Sequence, residues 1–249
     1  DPGHTVAIVG PTGAGKTTLV NLVMRFYEID GGRITVDGID TRTRSAAKMA
    51  DHVSYLYQHP QQMFLKDTVR EDIALFPRGR KVPDAEAIVE RIIEDVGLSA
   101  LADRDGRSLS GGQQRRATLG IGLAMRPSLL LLDEPTSSLD IRSRDDVTAM
   151  LAALAETVRC AVVATHDMEL AAEHADRVLV LAAGRVLAEG PAPSVRIADK
   201  GNRTLDDARW LPLPPVAIAT LEAVRVQLGH LRDWGRLHDQ QVALKLCLL

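Results

Sequence analysis

Near its N-terminus the chain reads Gly10-Pro11-Thr12-Gly13-Ala14-Gly15-Lys16-Thr17, and this stretch decides the fold. An apolar run at residues 6–9 precedes it, and residues 18–24 follow it with the apolar spacing of a helix. Strand, glycine-rich turn and helix, in this order, are the setting that a phosphate-binding loop of the form G-x-x-x-x-G-K-S/T requires. The alternative is an ordinary glycine-rich turn, but the lysine and the hydroxyl residue behind the glycines favour phosphate binding.

Such a loop presents both hydrogen-bond donors and positive charge to a phosphate. Its glycines allow successive backbone N–H groups to point inward, and the next helix directs its positive end to the same place. Lys16 is expected to reach the β- and γ-phosphates, and the Thr17 hydroxyl is expected to bind Mg²⁺. We therefore predict an α/β fold with a nucleotide site formed by residues 10–18, from Gly10 to Thr18.

The composition limits the class of protein. The chain has 249 residues, of which 45% are hydrophobic and 25% charged, as in ordinary globular proteins. A net charge of -3 offers no field that attracts nucleic acid or an anionic membrane, so no nucleic-acid partner is expected and any membrane role requires a protein partner. The two cysteines, Cys160 and Cys247, are too few for a disulfide framework, and a buried, reduced thiol in a cytosolic protein is the expectation.

Gln58 is the first polar residue after a β-branched and aromatic run at residues 53–57, which predicts a strand. A glutamine at the end of a strand can sense the γ-phosphate through Mg²⁺ or through the attacking water. The alternative is a solvated loop glutamine. From about residue 67 to 126 the pattern is helical and predicts an all-α insertion, with Asp84 capping one helix and Gly97 ending it.

The segment Leu109-Ser110-Gly111-Gly112-Gln113 opens another helix. Ser110 is expected to be its N-cap, and the two glycines behind it expose backbone N–H groups at a positive helix end. This predicts a second anion site. Because the helical insertion separates this segment from the phosphate loop, we expect a second copy of the domain to contribute it to the first copy's site.

Two carboxylates, Asp133 and Glu134, end an apolar run at residues 129–132 that predicts a buried strand. Alternation along a strand sends the two side chains to different sides, so different tasks are expected. Asp133 is assigned to the Mg²⁺ shell and Glu134 to polarising the water that attacks the γ-phosphate. The alternative, a solvated acidic turn, fits poorly with the apolar run. Residues 137–140 are expected to cap a helix at about 141–157.

His166 follows a further apolar strand, at residues 160–164. Open α/β sheets bind ligands at the carboxyl edge of their strands, which groups His166 with Gln58 and Glu134. Residues 177–181 and 184–188 predict a terminal hairpin. Beyond residue 190 the character changes: residues 211–215 are a proline-rich hinge, and residues 216–228 predict an amphipathic helix in a C-terminal appendage.

At this point the residues resemble the nucleotide-binding domain of ABC transporters, over residues 6–192. The likeness rests on the combination of the phosphate loop, the Gln58 loop, the segment at residues 109–113 (the signature segment), the acidic strand at 129–134, residues 138–140 and His166. It implies a P-loop NTPase core with a mostly parallel sheet in residues 1–192. An inserted all-α subdomain is expected at about 67–126, and a short C-terminal helical extension at 193–249.

The resemblance also implies roles for single residues, with ATP and Mg²⁺ as the ligands. Glu134 is the catalytic base, His166 contacts the γ-phosphate, and Asp133 binds Mg²⁺ through water. Gln58 links the site to a transmembrane partner, and Asp140 communicates across a dimer. Two such domains meet head to tail, each ATP lying between one phosphate loop and the other domain's Ser110, Gly111, Gly112 and Gln113. Such a subunit works at the cytoplasmic face of the cell membrane.

Two subfamilies compete. Residues 1–41, and above all 22–32, resemble the ATPase domain of a fused exporter. From about residue 53, the stretches 57–60 and 64–74 resemble the energy-coupling-factor ATPases of vitamin and metal-ion importers, as does the tail helix, and the importer is favoured. A hybrid would explain a join near residues 41–49. The family's adenine-stacking aromatic lies upstream of residue 1, so an N-terminal piece is expected to be missing.

Two other classes remain as alternatives. A soluble ABC ATPase of DNA repair or translation would be expected to carry a basic surface, a long coiled-coil insertion or tandem nucleotide domains. A regulatory domain without hydrolysis would be expected to have lost Glu134 or His166, and both are present.

Overall fold

The chain combines β-strands with α-helices, as the phosphate-loop pattern predicts. In the computed structural model, residues 4–155, 158–192 and 243–244 are described. The strands are β1 (His4–Val9), β2 (Arg33–Val36), β3 (Ile39–Asp40), β4 (Val53–Leu56), β5 (Leu129–Asp133), β6 (Cys160–Thr165), β7 (Arg177–Ala182), β8 (Arg185–Pro191) and β9 (Ala243–Leu244). The helices are α1 (Lys16–Val23), α2 (Ala46–Met49), α3 (Val69–Gly79), α4 (Ala85–Asp95), α5 (Gly111–Ala124), α6 (Ile141–Ala155) and α7 (Met168–His174).

The main sheet has the strand order β4-β5-β6-β1-β7-β8. The first five of these strands run parallel, and only β8 pairs antiparallel, with β7. Every residue of β5 and β6 is buried, as expected for parallel strands covered on both faces. The mostly parallel P-loop sheet is thereby confirmed. A second, small sheet has the order β3-β2-β9.

The parallel arrangement brings four chain segments to one edge. Strands β1, β4, β5 and β6 all end at this edge, so the loops that follow them are neighbours. These loops carry the phosphate loop, Gln58, Glu134 and His166. The strand order alone therefore brings these residues to the same edge of the sheet, as the sequence predicts.

The chain between β4 and β5 is all-α and builds its own apolar cluster. Helices α3, α4 and α5 pack on one another, and we call them together the helical segment, residues 69–124. Their shared core consists mainly of aliphatic side chains, among them Val69, Ile73, Val89, Ile93 and Leu98. Helix α5 also packs on the main sheet, because its Leu119 belongs to a second cluster with Leu56 and Leu130.

Several details differ from the sequence interpretation. Asp84 lies at the N-cap position of α4 but in the left-handed region, at φ 56, and its side chain makes no capping hydrogen bond. The proposed cap is therefore wrong, because this backbone turns the carboxylate away from the first N–H groups of the helix. Helix α7, which Asp167 caps through the Leu170 N–H, was not predicted.

The terminal hairpin is confirmed as β7 and β8, joined through Ala183 and Gly184, both at positive φ. Cys160 is buried in β6, as expected. No described helix has both the length and the hydropathy of a membrane span. The proline-rich hinge at 211–215, the helix predicted at 216–228 and Cys247 lie outside the described residues.

Candidate nucleotide site

The phosphate loop turns sharply between β1 and α1. Gly15 has φ 100, a conformation that side chains rarely adopt, and α1 begins at the next residue. At Gly10 a side chain is excluded by space, since a Cβ atom there would lie 2.2 Å from the Leu181 carbonyl oxygen. The loop is also fixed from behind, because the Gly184 N–H donates to the Ala14 carbonyl over 3.0 Å. Both glycines of the motif therefore have a geometric reason.

Lys16, the first residue of α1, is 7% exposed although it carries a charge. Its Nζ donates to the carbonyl oxygens of Gly10 at 2.7 Å and Pro11 at 3.3 Å. The same Nζ lies 3.5 Å from Oε1 of Glu134. The ammonium group thus stands between the phosphate loop and the acidic end of β5, where a phosphate held by the loop would meet it.

Asp133 ends β5 with its side chain among hydroxyl groups. The Thr17 hydroxyl donates to Oδ2 over 2.8 Å, and the Tyr55 hydroxyl donates to the same oxygen over 3.1 Å. Burial raises the pKa of Asp133, and the two hydroxyl donors oppose that rise. The second oxygen, Oδ1, is buried without a hydrogen-bond partner among the described residues.

This donor set fits Mg²⁺. The ion prefers oxygen ligands, binds through one or two carboxylates and takes its remaining ligands from water and from substrate phosphates. Asp133 and Thr17 would hold it, and the unpartnered Oδ1 of Asp133 is an oxygen available to the ion or its water. When bound, the ion would neutralise charge on the β- and γ-phosphates.

Glu134 lies beyond the strand, in the left-handed region at φ 48. Its Oε2 contacts Nδ1 of His166 at 2.7 Å and accepts from the Thr165 hydroxyl at 3.3 Å. The Glu134 side chain is 10% exposed, whereas the His166 side chain is 53% exposed. Asp133 and Glu134 meet different partners, as expected, but β5 ends at Asp133, so the left-handed turn at Glu134 and not strand alternation separates them.

Gln58 lies two residues beyond β4, and its side chain is exposed. Its backbone is fixed, because the Gln58 carbonyl accepts from the Arg115 guanidinium over 2.8 Å. The structure thus places Gln58 at the same sheet edge as Glu134 and His166, with its side chain exposed.

The signature segment starts α5 with a complete capping box. The Ser110 Oγ accepts from the Gln113 N–H, and the Gln113 side chain accepts from the Ser110 N–H. Ser110 and Gly111 are exposed, while Gly112 is buried. The N-cap prediction is confirmed. The segment does not share in the hydrogen-bonded group formed by Lys16, Thr17, Asp133, Glu134 and His166 within the described chain.

Asp140 directly precedes α6 and is also exposed. It accepts from the Ser143 N–H at 2.9 Å and from the Ser143 hydroxyl at 2.8 Å, and these bonds lower the pKa of its carboxyl group. Ser143 in turn packs against Gly112, where a Cβ would lie 2.6 Å from the serine hydroxyl. Asp140 and the signature segment are therefore neighbours on one exposed surface.

Sequence interpretation missed three residues at the site. Tyr55 and Thr165 donate to the two carboxylates, and Arg115 donates to carbonyls at the ends of β4 and β5. For Tyr55 and Thr165 the available signal was a hydroxyl in a buried strand, which needs a partner. Arg115 lies between the polar residues Gln114 and Arg116, so no local pattern marks it as buried. Which partner each would find depends on strand order.

Comparison with known proteins agrees with this site. The profile of the ABC transporter family matches residues 1–137. An ABC transporter ATP-binding protein of Pyrococcus abyssi is 38% identical over 205 residues, covering 82% of this chain and 79% of the relative. The chain belongs to the ABC transporter ATP-binding family. It is an ATPase that serves as the ATP-binding subunit of an ABC transporter.

One further relative and two solved structures are also similar to this ABC ATPase. The energy-coupling factor transporter ATP-binding protein EcfA2 of Symbiobacterium thermophilum is 35% identical over 252 residues, covering 91% of this chain and 85% of the relative. Among solved structures, cbiO1 of Clostridium perfringens, part of the complex cbiONQ, superimposes with a TM-score of 0.72 at 24% identity over 93% of this chain and 85% of its own. The dimeric ATP-binding cassette MJ0796, bound to ADP and Pi, gives a TM-score of 0.69 at 26% identity over 77% and 87%.

Proposed function

We propose that this chain is the ATP-binding subunit of an energy-coupling-factor type importer. The observation that carries the proposal is the extent of the match to EcfA2, which covers 91% of this chain. That share of 249 residues exceeds residues 1–192, so the similarity reaches into the C-terminal extension that the sequence predicts for this group. Residues 57–60 and 64–74 support the same subfamily.

The proposed organisation follows from this subfamily. Residues 1–192 form the ATPase domain, with the helical insertion at about 67–126, and residues 193–249 form the extension. The chain acts at the cytoplasmic face of the membrane, held there by a transmembrane subunit. It pairs with a second ABC ATPase domain, either another copy or a related chain.

Within the site, the contacts support a division of tasks. Lys16 and residues 10–18 bind the phosphates of ATP. Thr17 and Asp133 would hold Mg²⁺, and Gln58, in the loop after β4, would contribute a further ligand. Glu134 takes the proton of the attacking water, since it is buried, adjacent to Lys16 and oriented by Thr165 and His166.

His166 completes this arrangement from the exposed side of the site. Its Nδ1 contacts Glu134, and its ring is more than half exposed, so the other ring nitrogen can reach a γ-phosphate. Ser110, Gly111, Gly112 and Gln113 of one copy bind the ATP that lies on the phosphate loop of the other. Asp140, which is bonded to Ser143 beside Gly112, links the two sites across the dimer.

The direction of transport tests the subfamily. The chain is purified with its membrane subunits and reconstituted in liposomes that contain water-soluble vitamins and divalent transition-metal ions on both sides. ATP and Mg²⁺ are then added only on the side of the ATPase. An importer accumulates a compound on the side of the ATP, and mass spectrometry identifies it.

The matched control is the same complex with Glu134→Gln, which should leave all concentrations unchanged. Accumulation on the side opposite to the ATP would instead support the exporter interpretation of residues 1–41. Strong ATP hydrolysis in a chain that associates with no membrane subunit would contradict both.

A further inference from the structure

Arg115 is a charged side chain in the interior of this protein. It lies on α5, five residues after Ser110, and it is 1% exposed. Burial lowers the pKa of its guanidinium to about 10, which still leaves the group charged at neutral pH. A buried charge is costly unless hydrogen bonds compensate it, so its partners indicate why the fold tolerates it.

The partners of Arg115 are three backbone carbonyls from two different loops. Nη1 donates to the Tyr57 carbonyl and Nη2 to the Gln58 carbonyl, each over 2.8 Å. Nη2 also lies 3.4 Å from the Glu134 carbonyl. One planar guanidinium thus joins α5 to the loops that follow β4 and β5, through the backbone carbonyls of Gln58 and Glu134 themselves.

The hydrogen bonds leave the side chain incompletely compensated. Nε of Arg115 is buried and has no hydrogen-bond partner among the described residues. An apolar residue of similar volume would avoid both this unpaired donor and the burial of charge. Such a residue would, however, leave the Tyr57 and Gln58 carbonyls without this donor, so the length and planar shape of the arginine are accounted for by the link that it makes between three segments.

Arg116, the next residue, shows the contrast. Its Nη1 donates to the carbonyls of Val96 at 3.4 Å and Gly97 at 3.3 Å, both within the helical segment. It therefore links two parts of the helical segment, and among the described residues it makes no hydrogen bond to the loops at the edge of the sheet. The two adjacent arginines differ in what they connect, which makes one a matched control for the other.

We propose that Arg115 is a positioning residue that couples the signature helix α5 to Gln58 and Glu134. Because the guanidinium is fixed on the first half of α5, a displacement of the signature segment moves the carbonyls of Tyr57, Gln58 and Glu134 with it. ATP bound by the signature segment of one copy thereby adjusts the geometry of hydrolysis in that same copy. The inference rests on the roles proposed above for Gln58 and Glu134.

The test compares Arg115→Met with Arg116→Met in the full chain. For each we measure kcat and KM for Mg²⁺-dependent ATP hydrolysis, the Kd of ATP in the absence of turnover, and the thermal midpoint. We expect Arg115→Met to lower kcat at least tenfold while the Kd of ATP stays within threefold, because misplacement of reacting groups affects the chemical step more than phosphate binding. Arg116→Met should keep kcat within twofold.

A kcat within twofold of the parent in Arg115→Met would overturn the proposal, and so would equal losses in both variants. If Arg115→Met does not fold, Arg115→Lys decides, since it keeps the charge but cannot span both strand ends: we expect at least a threefold loss of kcat at unchanged Kd, and an unchanged kcat contradicts the coupling. Glu134→Gln distinguishes a failure of the proposed role of Glu134 from a failure of the coupling through Arg115. If it hydrolyses ATP at the parent rate, the proposed role of Glu134 fails; if it is inactive while Arg115→Met is normal, only the coupling fails.

Discussion

The phosphate loop and the signature segment are both glycine-containing turns that precede a helix, but their surroundings differ. The phosphate loop is enclosed: Gly10 abuts the Leu181 carbonyl, Ala14 is bonded to Gly184, and Lys16 is almost completely buried. The signature segment is open. Its Ser110 and Gly111 are exposed, and the side chains of Ser110 and Gln113 bond to the segment's own backbone.

The difference indicates how a site can be divided between two molecules. The phosphate loop meets the acidic end of β5 inside one chain, so the groups for binding and chemistry are assembled without help. The signature segment is held by its own capping box and is exposed at Ser110 and Gly111, which is what the proposed contact with another copy's ATP requires. A change in the first should therefore affect chemistry, and a change in the second should affect assembly.

The largest effect is expected for Glu134→Gln. The amide cannot take a proton from water, so hydrolysis should fall by a factor of 10² or more, while ATP binding persists because the phosphate loop is intact. Turnover by phosphate release and affinity by nucleotide titration measure the two separately. Parent-level hydrolysis in this variant would remove Glu134 from the mechanism.

The next largest effect is expected for a substitution in the signature segment. Ser110→Arg puts a long cationic side chain at the exposed start of α5, and it should abolish ATP-driven dimerisation while the Kd of ATP stays within a few-fold. Sedimentation with ATP in the Glu134→Gln background measures it. Ser99→Arg, at another exposed serine of the helical segment, is the control. An unchanged dimer in Ser110→Arg would contradict the composite site.

A smaller effect is expected for Tyr55→Phe, which removes one of the two hydroxyl donors to Asp133. A hydrogen bond to a charged group contributes about 1.5–3 kcal/mol, and Thr17 retains the other bond. We expect the Mg²⁺ concentration that half-saturates nucleotide binding to rise several-fold. Tyr57→Phe, which leaves Asp133 untouched, should not change it. Equal Mg²⁺ dependence in all three proteins would show that Tyr55 does not orient the carboxylate.

The smallest effect is on stability in alkali. Burial, followed by the charge of Asp133, raises the pKa of Tyr55 above its ordinary value of 10.0. The unfolded chain then loses this proton at lower pH than the folded chain, so the stabilisation is complete below about pH 10 and declines as the pH rises further. Urea unfolding at several alkaline pH values should show a shallower decline for Tyr55→Phe. Parallel declines would refute this.

The sequence predicts which segments lie near the phosphate loop better than it predicts the contacts between their side chains. The phosphate loop, the acidic strand and His166 were found because spacing and strand order carry them to one edge of a parallel sheet. The left-handed turn at Glu134 was not found, since nothing in an apolar run followed by two carboxylates indicates where the strand stops. The cap at Asp84 failed for a similar reason: a favourable residue type does not fix its own backbone angles.

Long-range partners were beyond local patterns altogether. Tyr55 and Asp133 are 78 residues apart, and Arg115 is 57 residues from Gln58. A buried hydroxyl or guanidinium needs a hydrogen-bond partner, but only the assembled sheet determines which residue that partner is. Helix α7 was missed because it has only seven residues, too few for a periodic pattern to stand out.

The position of β1 in the sheet has a consequence for synthesis. β1 pairs with β6 and β7, and the phosphate loop rests on Leu181 and Gly184, all of which leave the ribosome long after residues 4–17. During translation the phosphate-loop residues are therefore synthesised before the residues that hold the loop in its folded shape. The loop can therefore acquire its folded shape only after β6, β7 and Gly184 have been synthesised.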